Sequence, residues 1–369
     1  MEKAKVYFTD FRTSSDENLL QKLKRLMATA GMDTIDFTNK YVAIKLHFGE
    51  PGNLAYVRPN YVRAVAEFIK DLGGKPFLTD CNTLYVGGRK NAVDHMMAAE
   101  MNGFNTITTG CPVIIGDGLK GTDDVEVPIV GGQYLQTARI GRAVMDADIV
   151  ISLNHFKGHE MTGFGGAMKN LGMGCGSRAG KMAMHNAGKP NTTDDCVGCG
   201  SCQKICAHDA PQLQDNGKMF IDHDKCVGCG RCIGVCPVDA IVSPHDETCE
   251  ILDGKIAEYT KAVVDGRPHF HITLVNSVSP NCDCHAENDA PIVPDVGMFA
   301  SFDPVAIDKA CCDAVLAQPR LQNTWIDDHG DPSIEDVFTA SHPNTNWRGQ
   351  IDHGVKIGLG TDQYELIRI

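Results

Sequence analysis

Eight cysteines fall into two runs of one spacing. Cys196-Val-Gly-Cys199-Gly-Ser-Cys202-Gln-Lys-Ile-Cys206 reads C-x2-C-x2-C-x3-C, and Cys226-Val-Gly-Cys229-Gly-Arg-Cys232-Ile-Gly-Val-Cys236-Pro237 repeats it. Three thiolates from one tight loop can cap three irons of a cubane, and the glycines let the backbone wrap closely. In bacterial two-cluster ferredoxins the fourth cysteine of each run ligates the other cluster. The sequence therefore predicts two four-iron four-sulfur clusters. One takes Cys196, Cys199, Cys202 and Cys236; the other takes Cys226, Cys229, Cys232 and Cys206. Zinc on four thiolates is the competing chemistry, and two repeats of this form weigh against it. One departure is Ala207, which follows Cys206 where the second run has proline.

Outside these runs, Cys282 and Cys284 form a C-x-C pair, whose thiols share one side if the segment is extended. Cys175 lies in a glycine-rich stretch elsewhere. One reading joins Cys175, Cys282 and Cys284 in a third metal centre, a cluster with one open iron acting as a Lewis acid, or with His285 as fourth ligand. The other reading leaves them as ordinary thiols. Cys111, Cys249, Cys311 and Cys312 carry only the second reading.

A second chemical feature is an island of positive charge. Between Ile151 and Pro190 the basic residues are Lys157, Lys169, Arg178, Lys181 and Lys189, against Glu160 alone. In a chain of net charge −13 this suggests a carboxylate or phosphate ligand, or else a face that docks an acidic partner. Lys157 and His159 are the candidates for charge stabilisation and proton transfer. Lys45, His47, Lys169, Asn170, Arg178 and Lys181 are the candidate substrate contacts, with Glu50 and Asp80 nearby at strand ends. Gly163-x-Gly165-Gly166 before Ala167 could expose backbone N–H groups at a helix start. It matches neither a P-loop nor a dinucleotide fingerprint.

The elements that must position these residues alternate. Strand signals at Ala4 to Phe8, Tyr41 to Phe48, Lys75 to Thr79 and Asp148 to Leu153 are separated by helical patterns through Leu19–Leu26, Val62–Ile69 and Ala92–Met101. Ala138 to Met145 also reads as helical. After the cysteine runs come a strand at His269 to Val275 and a helix at Val305 to Leu316, with Asp303 near its cap. This predicts an α/β domain with a mainly parallel sheet, in two sequence halves, 1–187 and 246–369, around an α+β bacterial-ferredoxin-like insert at 188–245. In such a sheet, ligands collect beyond the carboxyl ends of the strands, where His155, Lys157 and His159 fall.

The bulk numbers set limits. The net charge of −13 would repel nucleic acid and anionic membranes alike. No apolar run reaches membrane-spanning length and no export signal is visible, so the expectation is a cytoplasmic protein. Its sixteen cysteines are then better explained by iron–sulfur ligation in a reducing, anaerobic setting than by disulfides.

Longer motifs add a resemblance. Lys45-Leu-His-Phe-Gly-Glu50, Thr79-Asp-Cys-Asn-Thr-Leu-Tyr85, Asn154-His-Phe-Lys-Gly-His-Glu160 and Gly163 through Cys175 are four of them. Arg178-Ala-Gly-Lys181, Cys282-Asp-Cys284, Pro291 through Asp295 and Asp303-Pro-Val-Ala-Ile-Asp308 complete the set. Together they resemble the family known as domain of unknown function three-six-two, many members of which carry the ferredoxin insert at this place. Cys81 stands where that family's motif would have threonine. The expected function is an iron–sulfur oxidoreductase that receives low-potential electrons from a redox partner protein and passes them to a small anionic substrate. A non-catalytic electron carrier or adaptor is the first alternative, and a lyase using an open iron at the third centre is the second.

Overall fold

A computed structural model of the chain describes residues 3–85, 87–185, 189–243 and 248–369. Its centre is a seven-stranded sheet. The strands are β1 (Ala4–Asp10), β2 (Tyr41–Lys45), β3 (Lys75–Thr79), β4 (Ile149–His155), β5 (His269–Val275), β6 (Gly297–Ser301) and β7 (Tyr364–Arg368). Their order across the sheet is β7-β1-β6-β5-β4-β2-β3. Among them only β6 runs antiparallel to its neighbours, so the sheet is mainly parallel. β2, β3, β4 and β5 therefore end on one edge.

Strand alternation sorts the core into two faces. Val42, Ile44, Ile149, Ile151 and Ile272 face helices α1 (Leu19–Thr29) and α2 (Pro59–Asp71), burying Leu23, Leu26, Val62 and Val65. Ala43, Phe77 and Val150 point the other way, against α4 (Ala167–Cys175) and α6 (Cys249–Val264). Helix α3 (Ala92–Met101) follows β3, α5 (Arg178–His185) follows α4, and α7 (Pro304–Leu316) covers β5 and β6. Asp303 caps α7 by accepting from the Val305 and Ala306 N–H groups.

Segment 191–242 carries its own small pairings. Asn191–Thr192 pairs with Ile241–Val242, and Pro211–Leu213 with Met219–Ile221. Short helices Ser201–Ile205 and Arg231–Val235 pack together. The boundaries predicted at 188 and 245 lie outside the described residues. The large sheet draws β1 to β4 from before this segment and β5 to β7 from after it.

Three local expectations change. The strand predicted over Tyr41 to Phe48 stops at Lys45, where the chain turns from the sheet into the site. Ala138 to Met145 is not one helix. Thr137–Gly141 is a strand paired with Asp124–Pro128, with Ala138 and Ile140 inward and Arg139 outward, and the helix covers only Arg142–Asp146. Cys282 to Cys284 forms a turn, closed by the His285 N–H to the Cys282 carbonyl at 3.0 Å, instead of an extended segment.

Candidate functional site

The carboxyl ends of β2, β3, β4 and β5 deliver a polar cluster that the helices seal from water. At the end of β2, Lys45 reaches Asp80, the residue after β3, at 3.1 Å; both are almost fully buried. Arg89, from the loop before α3, pairs with Glu50 at 2.9 Å and lies 3.6 Å from Asp80. Burial opposes ionisation of Asp80, but Lys45 with His95, His47 and Arg89 holds its carboxyl well below the usual carboxylate range. Asn170 of α4 accepts from Lys45 Nζ at 2.6 Å and donates to the Asn154 side chain at 2.7 Å, locking α4 to the strand ends.

A second acid centre sits beyond β4 and β5. Asp283 lies 2.9 Å from His155 Nδ1 and 3.3 Å from Lys157 Nζ. Against its burial, His155 and Lys157 hold it well below the usual range. His47 stands between the two centres, near Arg89, Asp80 and Asp283, and burial with the Arg89 charge lowers its pKa well below the ordinary imidazole value.

Next to these pairs is a cavity of about 290 Å³ lined by Tyr85, His159, Glu160, Lys169, Cys284 and His285, among others. Lys169 Nζ donates to the Cys282 sulfur at 3.4 Å. His159 Nδ1 accepts the Met161 and Thr162 N–H groups at 3.1 and 3.2 Å, which puts the ring proton on Nε2, 3.6 Å from Glu160. The Cys284 thiol hydrogen-bonds Cys282; that bond, then Lys169 and His159, lower the Cys282 pKa against its burial. The same bond and burial raise that of Cys284. Glu160 Oε1 meets His285 Nε2 at 3.2 Å, and ligand atoms of Glu160, Cys284 and His285 lie within 4.8 Å of one another.

The sequence-derived candidates separate accordingly. His159 and Lys169 line the cavity. Lys157, Lys45, His47 and Asn170 stand in the buried layer of the two acid centres, so Lys157 is held by Asp283 and the His155 carbonyl instead of facing the cavity. Lys181 donates to the Gly176 carbonyl at 2.5 Å, a link within the α4–α5 turn. Arg178 leaves the site altogether. Its guanidinium donates to the Lys90 and Lys120 carbonyls and packs on Gly230 and Gly234 of the second cysteine run.

Two expected groupings have other neighbours. Cys175 packs in an apolar cluster with Cys81, Leu171 and Ile256, and among the described residues its thiol does not join those of Cys282 and Cys284 within the 4.8 Å that a single ion would require. The N–H groups at the start of α4 already have an acceptor. Asp308 of α7 accepts from Ala167 and Met168 at 2.6 and 2.9 Å, and a Cβ on Gly166 would collide with its carboxylate. Sequence reasoning also passed over Arg89, His95 and Tyr85. The Gly87-Gly88-Arg89 loop just past a strand end was the available signal.

The two cysteine runs fold as twins. Gly198 and Gly200 take φ of 65° and 72°, and Gly228 and Gly230 take 70° and 67°. These left-handed positions curl each loop around its thiols, as glycine permits and other residues resist. Cys206 of the first run joins Cys226, Cys229 and Cys232 around one cavity. Cys202 lies beside Cys196 and Cys199. Backbone N–H groups already point at sulfur, from Met219 to Cys196 at 3.3 Å and from Ala240 to Cys236 at 3.2 Å. Such a donor set fits thiolate-bound metal or an iron–sulfur cluster.

The family described as domain of unknown function (DUF362) matches residues 42–313. The chain belongs to that family. It is 31% identical over 134 residues to a thylakoid-associated protein of Synechocystis sp. (strain ATCC 27184 / PCC 6803 / Kazusa), a match covering 34% of this chain and 35% of the relative. The matched part is thus about a third of that relative's length. Among solved structures, the lactate racemase apoprotein of Thermoanaerobacterium thermosaccharolyticum aligns at 10% identity and a TM-score of 0.35, over 74% of this chain and 51% of that one. A protein of Thermotoga maritima aligns at 11% and 0.39, over 82% and 59%. This member is rich in cysteine, and its thiols and a possible metal site are compatible with binding metal or iron–sulfur groups. Among its described residues no helix is long and apolar enough to cross a membrane.

Proposed function

We propose that the protein is an iron–sulfur oxidoreductase whose substrate, a small anion, binds in the cavity at the strand ends. The eight cysteines of segment 191–242 would hold two four-iron four-sulfur clusters, which supply storage and relay of single electrons. The supporting observation is adjacency. Leu84 and Met182 pack in the core of the cysteine module, while Tyr85, the next residue, and His185, one turn along α5, line the cavity. The two sites are therefore joined through a shared wall, not spaced by solvent.

Within the cavity Lys169 is the anion-binding cation. Burial works against its charge, but Cys282, Cys284 and Glu160 raise its pKa and keep it protonated. His159 offers its Nε2 proton to the reacting group. Lys157 and Lys45 hold Asp283 and Asp80, and so position the strand-end loops without touching substrate. Electrons enter from a redox partner protein at the module, where Val197 and Val227 occupy matching exposed positions in the two runs.

The test is reduction of small carboxylates and phosphate esters by chemically reduced, anaerobic protein. Lys169→Ala and His159→Ala should each slow turnover by ~10²–10³ with cluster content intact, the usual loss for one well-placed electrostatic group. If no small anion is turned over and the substitutions change only partner affinity, the carrier reading replaces this one.

A further inference from the structure

We infer that Glu160, Cys284 and His285 form a mononuclear site for one divalent transition-metal ion, zinc or ferrous iron, at the wall of the cavity. Three observations carry this. First, the donors converge: a carboxylate, a thiol and an imidazole have ligand atoms within 4.8 Å of one another. Glu160 Oε1 and His285 Nε2 are 3.2 Å apart. Metal–ligand bonds of about 2.0–2.3 Å meeting at tetrahedral angles put donors roughly 3.3–3.7 Å apart, so this edge is already nearly set.

Second, charged groups flank the donors. His285 turns Nε2 to the site and Nδ1 outward, with the exposed Glu287 carboxylate 3.7 Å away, beyond hydrogen-bond reach. The other oxygen of Glu160 faces His159 Nε2 at 3.6 Å. Cys282, beneath Cys284, is held by Lys169 and stays outside the set.

Third, the site is open. All three donors line the 290 Å³ cavity beside Lys169. Three protein ligands with space beside them is the pattern of metal sites that keep a position for water or substrate. Mixed nitrogen, sulfur and oxygen donors suit zinc or ferrous iron over magnesium or calcium. This deepens the proposed reading of the same cavity and rests on it for its role. A substrate carboxylate or phosphate oxygen would take the open position while its remaining charge meets Lys169.

The ligand set differs from the three-thiol centre suggested by sequence, and the test separates them. Anaerobic protein with its cluster iron and sulfide quantified is stripped of loosely held metal and titrated with Zn²⁺ alone, then with Fe²⁺ alone. The expected result is one ion per chain beyond the cluster iron. His285→Ala, at a half-exposed ring whose loss leaves packing intact, and Glu160→Gln should abolish that ion at unchanged cluster content. Glu287→Ala should change it little, as expected for an exposed carboxylate beyond hydrogen-bond reach. Cys175→Ser should leave it untouched. Equal binding by wild type, His285→Ala and Glu160→Gln overturns the site, as does its loss in Cys175→Ser. Missing cluster iron with the extra ion retained would instead count against the electron-transfer reading.

Discussion

Lys45 and Asp80, at the ends of neighbouring strands β2 and β3, form an ion pair of 3.1 Å with both side chains almost wholly buried. Water contributes almost nothing to either charge, so each depends on the other and on Arg89, His95 and Asn170 around them. Gly174 of α4 passes so close that an added Cβ would collide with the Lys45 ammonium. The pair thus ties two strands and a helix at the base of the cavity.

Removing one partner should be costly. Asp80→Ala leaves Lys45 as a buried, uncompensated cation while Arg89 keeps Glu50, and breaking such a pair typically costs about 3–5 kcal/mol. Anaerobic urea denaturation should show that loss in Asp80→Ala, and Lys45→Met with Asp80→Asn should recover much of it. Equal midpoints for Asp80→Ala and wild type would show that the charges are solvated.

Acid should destabilise the fold through His95. Burial is the main cause that lowers its pKa from 6.5 to about 3, with Asn82 Oδ1 3.4 Å from Nδ1 and Phe48 packed at its edge. Below pH 6.5 the unfolded chain binds a proton here that the native state refuses. Stability is therefore full above the unfolded value and falls as pH drops toward 3. Between pH 7 and 5.5 this one group should cost about 1–2 kcal/mol. His95→Gln, which cannot titrate, should flatten the fall in denaturation midpoint by that amount. An identical slope in both proteins would place the acid sensitivity elsewhere.

Arg178 should tune the second cysteine run. Its Nη1 is buried without a hydrogen-bond partner among the described residues, and Cys232 is one of the groups that act on the guanidinium. Arg178→Gln should keep iron content and make the neighbouring cluster harder to reduce, because a nearby cation favours the more negative reduced state. An EPR-monitored redox titration reads this directly; an unchanged potential would leave Arg178 a purely structural wedge.

How much of this was legible in the sequence follows from range. The cysteine runs carry their twin loops in local spacing, and β3, α3 and β5 show in local periodicity, so these elements were readable. The end-of-strand position of Lys45, Asp80 and His155 also followed from the βα alternation. Contacts between distant segments were not readable. That Asp308 would fill the α4 N-terminus, that Arg178 would face the cysteine module, and that Cys175 would point into an apolar cluster depend on how α4, α5 and α7 pack. Glu160 and His285 meet only because the β4 loop and the 282–285 turn share one edge of the sheet.

In the proposed function the eight cysteines of the two runs hold two iron–sulfur clusters. The most direct measurement is iron, zinc and acid-labile sulfide in anaerobically purified protein, together with its Cys229→Ser variant. Two cubanes require about eight iron and eight sulfide per chain, with iron and sulfide falling together in the variant. Zinc in place of iron, with little or no sulfide, would contradict the account.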